Sequence, residues 1–203
     1  MNKYYRRFVM WVMNTELYKY TLQYIIPDIR FTMKYTQMTG IQFNKMYSLL
    51  KPGDVILTVD KRKLTSLLIP GTFSHAAMCI DKNSDWEVSE MTHDDYTKSC
   101  FFDICKESDR VVILRVNCTT CFEGSVDHAI ARCKEFEDAK YDTQFDLNIH
   151  TLYCSELIYQ SYINNSLQVC LDDFIGLGRQ YISPDGLYNA KQLRVVVDSD
   201  QIA

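Results

Sequence analysis

From residue 4 to residue 50 apolar positions recur at helical spacing: Phe8, Trp11, Val12, Leu22, Ile25, Ile26 and Ile29 fall near one face, and Pro27 should kink or restart the helix. After Lys51-Pro52-Gly53-Asp54 the pattern changes. Val55-Ile56-Leu57-Thr58-Val59 is continuous and β-branched and predicts a strand, and Ala76-Ala77-Met78-Cys79-Ile80 predicts a second. Between them Leu64 to Leu68 predicts a helical turn before Ile69-Pro70-Gly71. Polar residues at 81–85 read as a turn, so Trp86-Glu87-Val88-Ser89-Glu90-Met91 becomes the return strand of a hairpin. Another strand is predicted over 110–116, a helix over 125–139 with Ile130, Cys133 and Phe136 inward, and a last strand over 193–197.

The stretch Tyr153-Cys154-Ser155-Glu156-Leu157-Ile158-Tyr159 marks the start of a further helix. Directly upstream, Asp146-Leu147-Asn148-Ile149-His150-Thr151-Leu152 holds no helical period, whereas Leu157, Ile158, Ser161, Tyr162 and Leu167 do, with Asn164-Asn165 as a stop. Cys154 therefore falls in the first turn, where unpaired N–H groups and the helix dipole favour a thiolate. Taken alone, it reads first as one buried apolar cysteine among eight, and the rest of the chain has to supply the case for a nucleophile.

A helical prefix, short strands and later helices define an α+β protein with an antiparallel sheet and helices on one side. Residues 1–48 form a helical N-terminal extension and residues 49–203 the main domain. At 203 residues, 47% hydrophobic and 24% charged, the chain is globular, and a net charge of -4 offers no basic footprint for nucleic acid. With neither a secretory signal nor a run of transmembrane length, the eight cysteines read as reduced thiols in a cytoplasmic protein. Aromatic residues flanked by Lys3, Arg6 and Arg7 give residues 1–36 two readings: a helical extension packed on its own domain, or peripheral membrane contact.

A thiolate needs a base, and the chain has four histidines. His75 opens a strand after the small-residue loop Pro70-Gly71-Thr72-Phe73-Ser74, a place that presents side chains to a cleft. Glu90 shares a face with Val88 and Trp86 and can orient the imidazole if the hairpin brings it near. His150, four residues before Cys154, is the rival base. Tyr153, Ser155 and Ser74, adjacent to these groups, are candidate substrate-binding residues. Cys118-Thr119-Thr120-Cys121 with His128 and Cys133 raises zinc, but the separations do not match a four-ligand site, so neither metal nor cofactor is expected.

The run Phe73-Ser74-His75-Ala76-Ala77-Met78, then Val88-Ser89-Glu90, Tyr141-Asp142 and Tyr153-Cys154-Ser155-Glu156-Leu157 resembles the circularly permuted papain-like cysteine hydrolases, the YiiX-like branch of the NlpC-type superfamily. Lys51-Pro52-Gly53-Asp54-Val55-Ile56 looks like that family's opening motif and Ser183-Pro184-Asp185-Gly186-Leu187 like its closing one, so the likeness covers roughly residues 50–197. It implies a permuted papain-like fold with Cys154 as nucleophile, His75 as base and Glu90 as orienter. The implied activity is that of a cysteine hydrolase or acyltransferase on an amide, ester or thioester. Relatives act on cell-wall peptides or on lipids, so the expected partner is a peptide or lipid-linked acyl substrate. The other reading is a papain-like binding or structural module without catalysis. Oligomeric state does not follow from the sequence.

Overall fold

The computed structural model describes residues 3–26, 38–61, 71–83, 87–117, 125–147, 150–163, 167–174 and 178–202. Pro27, Ile29, the turn expected over 64–68, Trp86, Cys118, Cys121 and the stop at Asn164-Asn165 lie outside them.

In chain order the main elements are α1 (Lys3–Met13), α2 (Glu16–Tyr20, continued by a π turn over Thr21–Ile25), α3 (Gly40–Leu49), β1 (Val55–Val59), β2 (His75–Cys79), β3 (Val88–Thr92), β4 (Asp95–Ser99), α4 (Phe101–Glu107), β5 (Arg110–Val116) and α5 (Ser125–Glu135). There follow β6 (Lys140–Tyr141), β7 (Thr151–Leu152), α6 (Cys154–Tyr162), β8 (Asp172–Asp173), β9 (Gln180–Tyr181), α7 (Pro184–Tyr188) and β10 (Leu193–Asp198). Six strands pair antiparallel in the order β10-β5-β1-β2-β3-β4, so β1 lies inside the sheet.

Burial of all five β1 residues explains its unbroken apolar sequence, since both faces of the sheet are covered. On one face Val55, Leu57, Ala76, Met78 and Val112 pack in a cluster with Ala129 and Cys133 of α5 and Leu157 and Ile158 of α6. The opposite face carries Ile56, Ala77, Val88 and Ile113 under Met46 of α3 and Phe101, Ile104 and Cys105 of α4. The fold is α+β with a large antiparallel sheet, as expected. To the helices on one side it adds a second layer, because α4 and α3 carry apolar residues that fit the alternate positions of the same strands.

Two glycine turns anchor the sheet, Gly53 at the end of β1 and β2 away from His75 and Gly71 on the approach to it. Gly53 has φ +84°, and a Cβ there would stand 2.3 Å from Val126 Cγ1. Its N–H donates to the Cys79 carbonyl at 2.7 Å, and Tyr162 of α6 donates to its carbonyl. Next to it, fully buried Asp54 receives the Arg115 guanidinium through two bonds of 2.6 and 2.7 Å. Gly71 (φ +126°) lets Asp185, from the first turn of α7, approach; its carboxylate accepts the N–H groups of Thr72 at 2.9 Å and Phe73 at 3.0 Å. The loop that leads into His75 is thereby tied to the C-terminal part of the chain.

The N-terminal helices pack on the α5–α6 side. Met13 and Leu22 are buried in that cluster, and Val9, Met10, Tyr18 and Ile26 lean on it. The apolar stripe expected on one face is therefore split. Leu22 and Ile26 belong to the packed side, whereas Phe8, Trp11 and Ile25 are exposed, because α1 seats itself through Val9, Met10 and Met13 instead.

Candidate active site

Helix α6 begins at Cys154, with Tyr153 as its N-cap in extended conformation (φ -106°, ψ 172°). Tyr153 is held in the core: its hydroxyl accepts the Ile182 N–H at 2.8 Å and its ring packs 5.3 Å from that of Phe145. Ser155 is also buried and donates to the Ile182 carbonyl at 2.7 Å. The expectation that these two side chains touch substrate is thus corrected. Successive helical residues point about 100° apart, so flanking the cysteine in sequence turns them into the core, where they brace the helix start.

His75 is placed by the register of β1 and β2, which sets Thr58 opposite it. The next pairing sets Ala77 opposite Glu90, so Glu90 and His75 lie diagonally on one face. His75 Nε2 meets Glu90 Oε2 at 2.6 Å, which leaves Nδ1 to face the thiol. The other carboxylate oxygen of Glu90 accepts the Ser99 hydroxyl from β4. Cys154 is 3% exposed and hydrogen-bonds with His75, and the backbone N–H groups of Ala76 and Ser155 also point to its sulfur.

The two groups polarise each other. Burial alone would keep Cys154 protonated, but the charge and hydrogen bond of His75, with those two N–H groups, bring its thiol below the ordinary value. For His75 burial again works against charge. It is outweighed by the Cys154 charge, the bond to Cys154 and the bond to Glu90, which together raise the imidazole to about 10. Both displacements favour a thiolate–imidazolium pair.

These residues border a cleft of about 370 Å³. Ser74, the third candidate for substrate contact, does line it, accepting the Asp60 N–H at 3.2 Å. Apolar surface comes from Leu22, Met91, Ile104 and Phe145. Tyr141 lines the same cleft as Cys154, its phenol held protonated by burial and by the Cys154 charge. Of the other histidines, His150 precedes β7 and is exposed outside the cleft, because α6 starts no earlier than Cys154. His128 faces solvent while Cys133 on the same helix is fully buried, so the two do not share a site.

Sequence reasoning missed Ser99 and the cleft role of Leu22. Ser99 sits on a polar strand without an apolar run, and Leu22 carried only a helical-face signal.

An antiparallel sheet that delivers histidine and acid from neighbouring strands to a cysteine at a helix start, with the cysteine last in sequence, is a papain-like fold in permuted order. The family described as permuted papain-like amidase enzyme, YaeF/YiiX, C92 family, matches residues 49–201, and the chain belongs to it. It is accordingly a cysteine hydrolase-type enzyme of the amidase kind. The fold is similar to that in the crystal structure of the metalloprotein YiiX from Escherichia coli O157:H7, with a TM-score of 0.59 and 17% identity, over 72% of this chain and 96% of that one. No curated protein matches the chain. Among the described residues no helix is long and apolar enough to cross a membrane.

Proposed function

We propose that the enzyme cleaves or transfers the acyl group of an amide, ester or thioester, on a peptide or lipid-linked substrate, with Cys154 as nucleophile, His75 as acid–base and Glu90 as the orienting carboxylate. The observation that carries this reading is the continuous line Glu90–His75–Cys154, with opposite pKa displacements at its thiol and imidazole.

The thiolate adds to the carbonyl carbon and the carbonyl oxygen takes the negative charge. As the tetrahedral intermediate collapses, the C–N or C–O bond breaks, or the C–S bond of a thioester, and His75 passes its proton to the leaving group. Water, or another acceptor, then attacks the acyl-thioester while His75 takes the attacker's proton, and the C–S bond to Cys154 breaks, which frees the acyl product and restores the thiolate–imidazolium pair. The Cys154 N–H at the start of α6 supplies one donor for the oxyanion. Tyr141, protonated and on the wall of the same cleft, supplies the second. Glu90, pinned by Ser99, keeps Nε2 occupied so that Nδ1 stays towards the sulfur.

The Escherichia coli YiiX protein is described as a metalloprotein. Among the described residues of the present chain no three His, Cys, Asp or Glu side chains converge as metal ligands, so those residues do not fit such an ion, and the steps above use Cys154, His75 and Glu90.

The test is alkylation of each cysteine by iodoacetamide across pH, read by mass spectrometry, in wild type and His75→Ala. Cys154 should react fast below the usual thiol range of ~8.5, and His75→Ala should move its apparent pKa up. A Cys154 no faster than the exposed Cys170, including under mild denaturant that relieves burial, would overturn the assignment.

A further inference from the structure

Helix α1 is apolar on two opposite sides. Val9, Met10 and Met13 face the core. Across the helix, Tyr4, Phe8 and Trp11 form a row at i, i+4 and i+7, with 77%, 59% and 64% of their surface exposed. The Phe8 and Trp11 rings stand 6.1 Å apart. One packed face is enough to hold the helix on the domain, and the second lies exposed. Helix α2 and its π turn extend the same character: Leu17, Tyr20 and Tyr24 are exposed, with the two tyrosine rings 5.1 Å apart. Leu22, between those tyrosines, turns inward and lines the cleft. Exposed aromatics gathered in this way mark a surface that something covers.

Charge indicates what covers it. Helix α1 carries Lys3, Arg6 and Arg7 with no acidic residue, +3 in a chain of net charge -4, so the remaining residues sum to -7. Arg7, beside the aromatic row, is exposed. Cations bordering tyrosine, phenylalanine and tryptophan are the composition of a segment lying at the boundary between anionic headgroups and acyl chains. At 11 residues the helix is too short to cross a bilayer.

We infer that the α1–α2 aromatic face docks on an anionic lipid surface and brings the mouth of the Cys154 cleft to the membrane. Leu22 is the mechanical link, since the segment that meets lipid on one side forms cleft wall on the other. Docking does not depend on the catalytic reading above. If both hold, the acyl chain of a lipid-linked substrate enters a cleft already lined by Leu22, Met91 and Phe145.

Co-sedimentation of the full chain with phosphatidylcholine vesicles, with and without phosphatidylserine, tests the inference. Wild type should bind the phosphatidylserine vesicles, less so as salt is raised, and Phe8→Ser with Trp11→Ser should weaken binding about tenfold or more. Cys154→Ala should bind like wild type, so the outcome stands apart from the fate of the nucleophile. Circular dichroism and an unchanged Cys154 alkylation rate would show that the double variant is folded. The inference is overturned if wild type leaves anionic vesicles unbound, or if the double variant binds as well as wild type. It is overturned in favour of contact between two copies if no vesicle binding occurs and sedimentation velocity shows a dimer that the double variant dissociates.

Discussion

Cys154 and His75 hold opposite charges in a place where burial disfavours both, because each is the other's counter-ion and the imidazole has a second anchor in Glu90. The pH dependence of the pair has a definite sign. Turnover should rise with pH as the thiol ionises, at values below the ordinary thiol range. It should fall as pH passes about 10, where His75 loses its proton. The stability that His75 draws from these partners is complete below its ordinary value of 6.5 and disappears through the same upper limit. Cys154→Ala should abolish turnover with the fold intact, which circular dichroism beside an amide-hydrolysis assay would show; an active variant removes the mechanism. Tyr141→Phe should lower kcat by roughly 10²- to 10³-fold, the cost of one oxyanion donor, while the alkylation pKa of Cys154 stays in place. If only KM moved, Tyr141 would be a binding residue and not a donor to the oxyanion.

At the scale of elements, helix α6 carries a second ionisable group in its first turn. Glu156 is fully buried and its carboxyl is pushed up to about 9 by burial and by the Asp142 charge. A carboxyl raised in the folded state favours folding where it is protonated. Its contribution therefore declines from pH 4.5 upward and is used up near pH 9. Glu156→Gln should flatten that part of the profile and stabilise the protein at pH 7 by about 2 kcal/mol, measured by urea unfolding at several pH values. Arg115→Ala should act in the opposite direction. Removing the guanidinium leaves Asp54 charged and buried, at a cost of about 3 kcal/mol in the same unfolding assay.

What could be read in advance follows from how each element is buried. β1, β2 and β5 announced themselves because strands covered on both faces must be apolar throughout. β4, Asp-Tyr-Thr-Lys-Ser, did not, because an edge strand of half-exposed residues has no apolar run, and Ser99 was lost with it. The face that Glu90 shares with Val88 was legible from the two-residue period of a strand, but its place beside His75 depends on the hairpin register, which that period does not fix. Tyr141 was visible only as part of a resemblance, since a two-residue strand leaves no periodic trace.

In the whole molecule the N-terminal helices complete the enzyme's surface and do not stand off from it. Leu22 belongs both to the core and to the cleft wall. Leu22→Ala should therefore destabilise by about 2–4 kcal/mol, and in the folded fraction raise KM for substrates with apolar acyl groups more than it lowers kcat. Unchanged kinetics on such substrates would show that this wall is not part of the acyl site.

The tie between Asp185 and the Thr72 and Phe73 N–H groups has a consequence for the order in which the protein is made. The ribosome emits His75, Glu90 and Cys154 well before the carboxylate that steadies the histidine's approach, and before β10, which closes the sheet against β5. A nascent chain displaying all three groups is still without its last clamp. The working centre is finished only once residues 183–198 have left the exit tunnel, so turnover has to wait for a segment that follows Cys154 by some thirty residues.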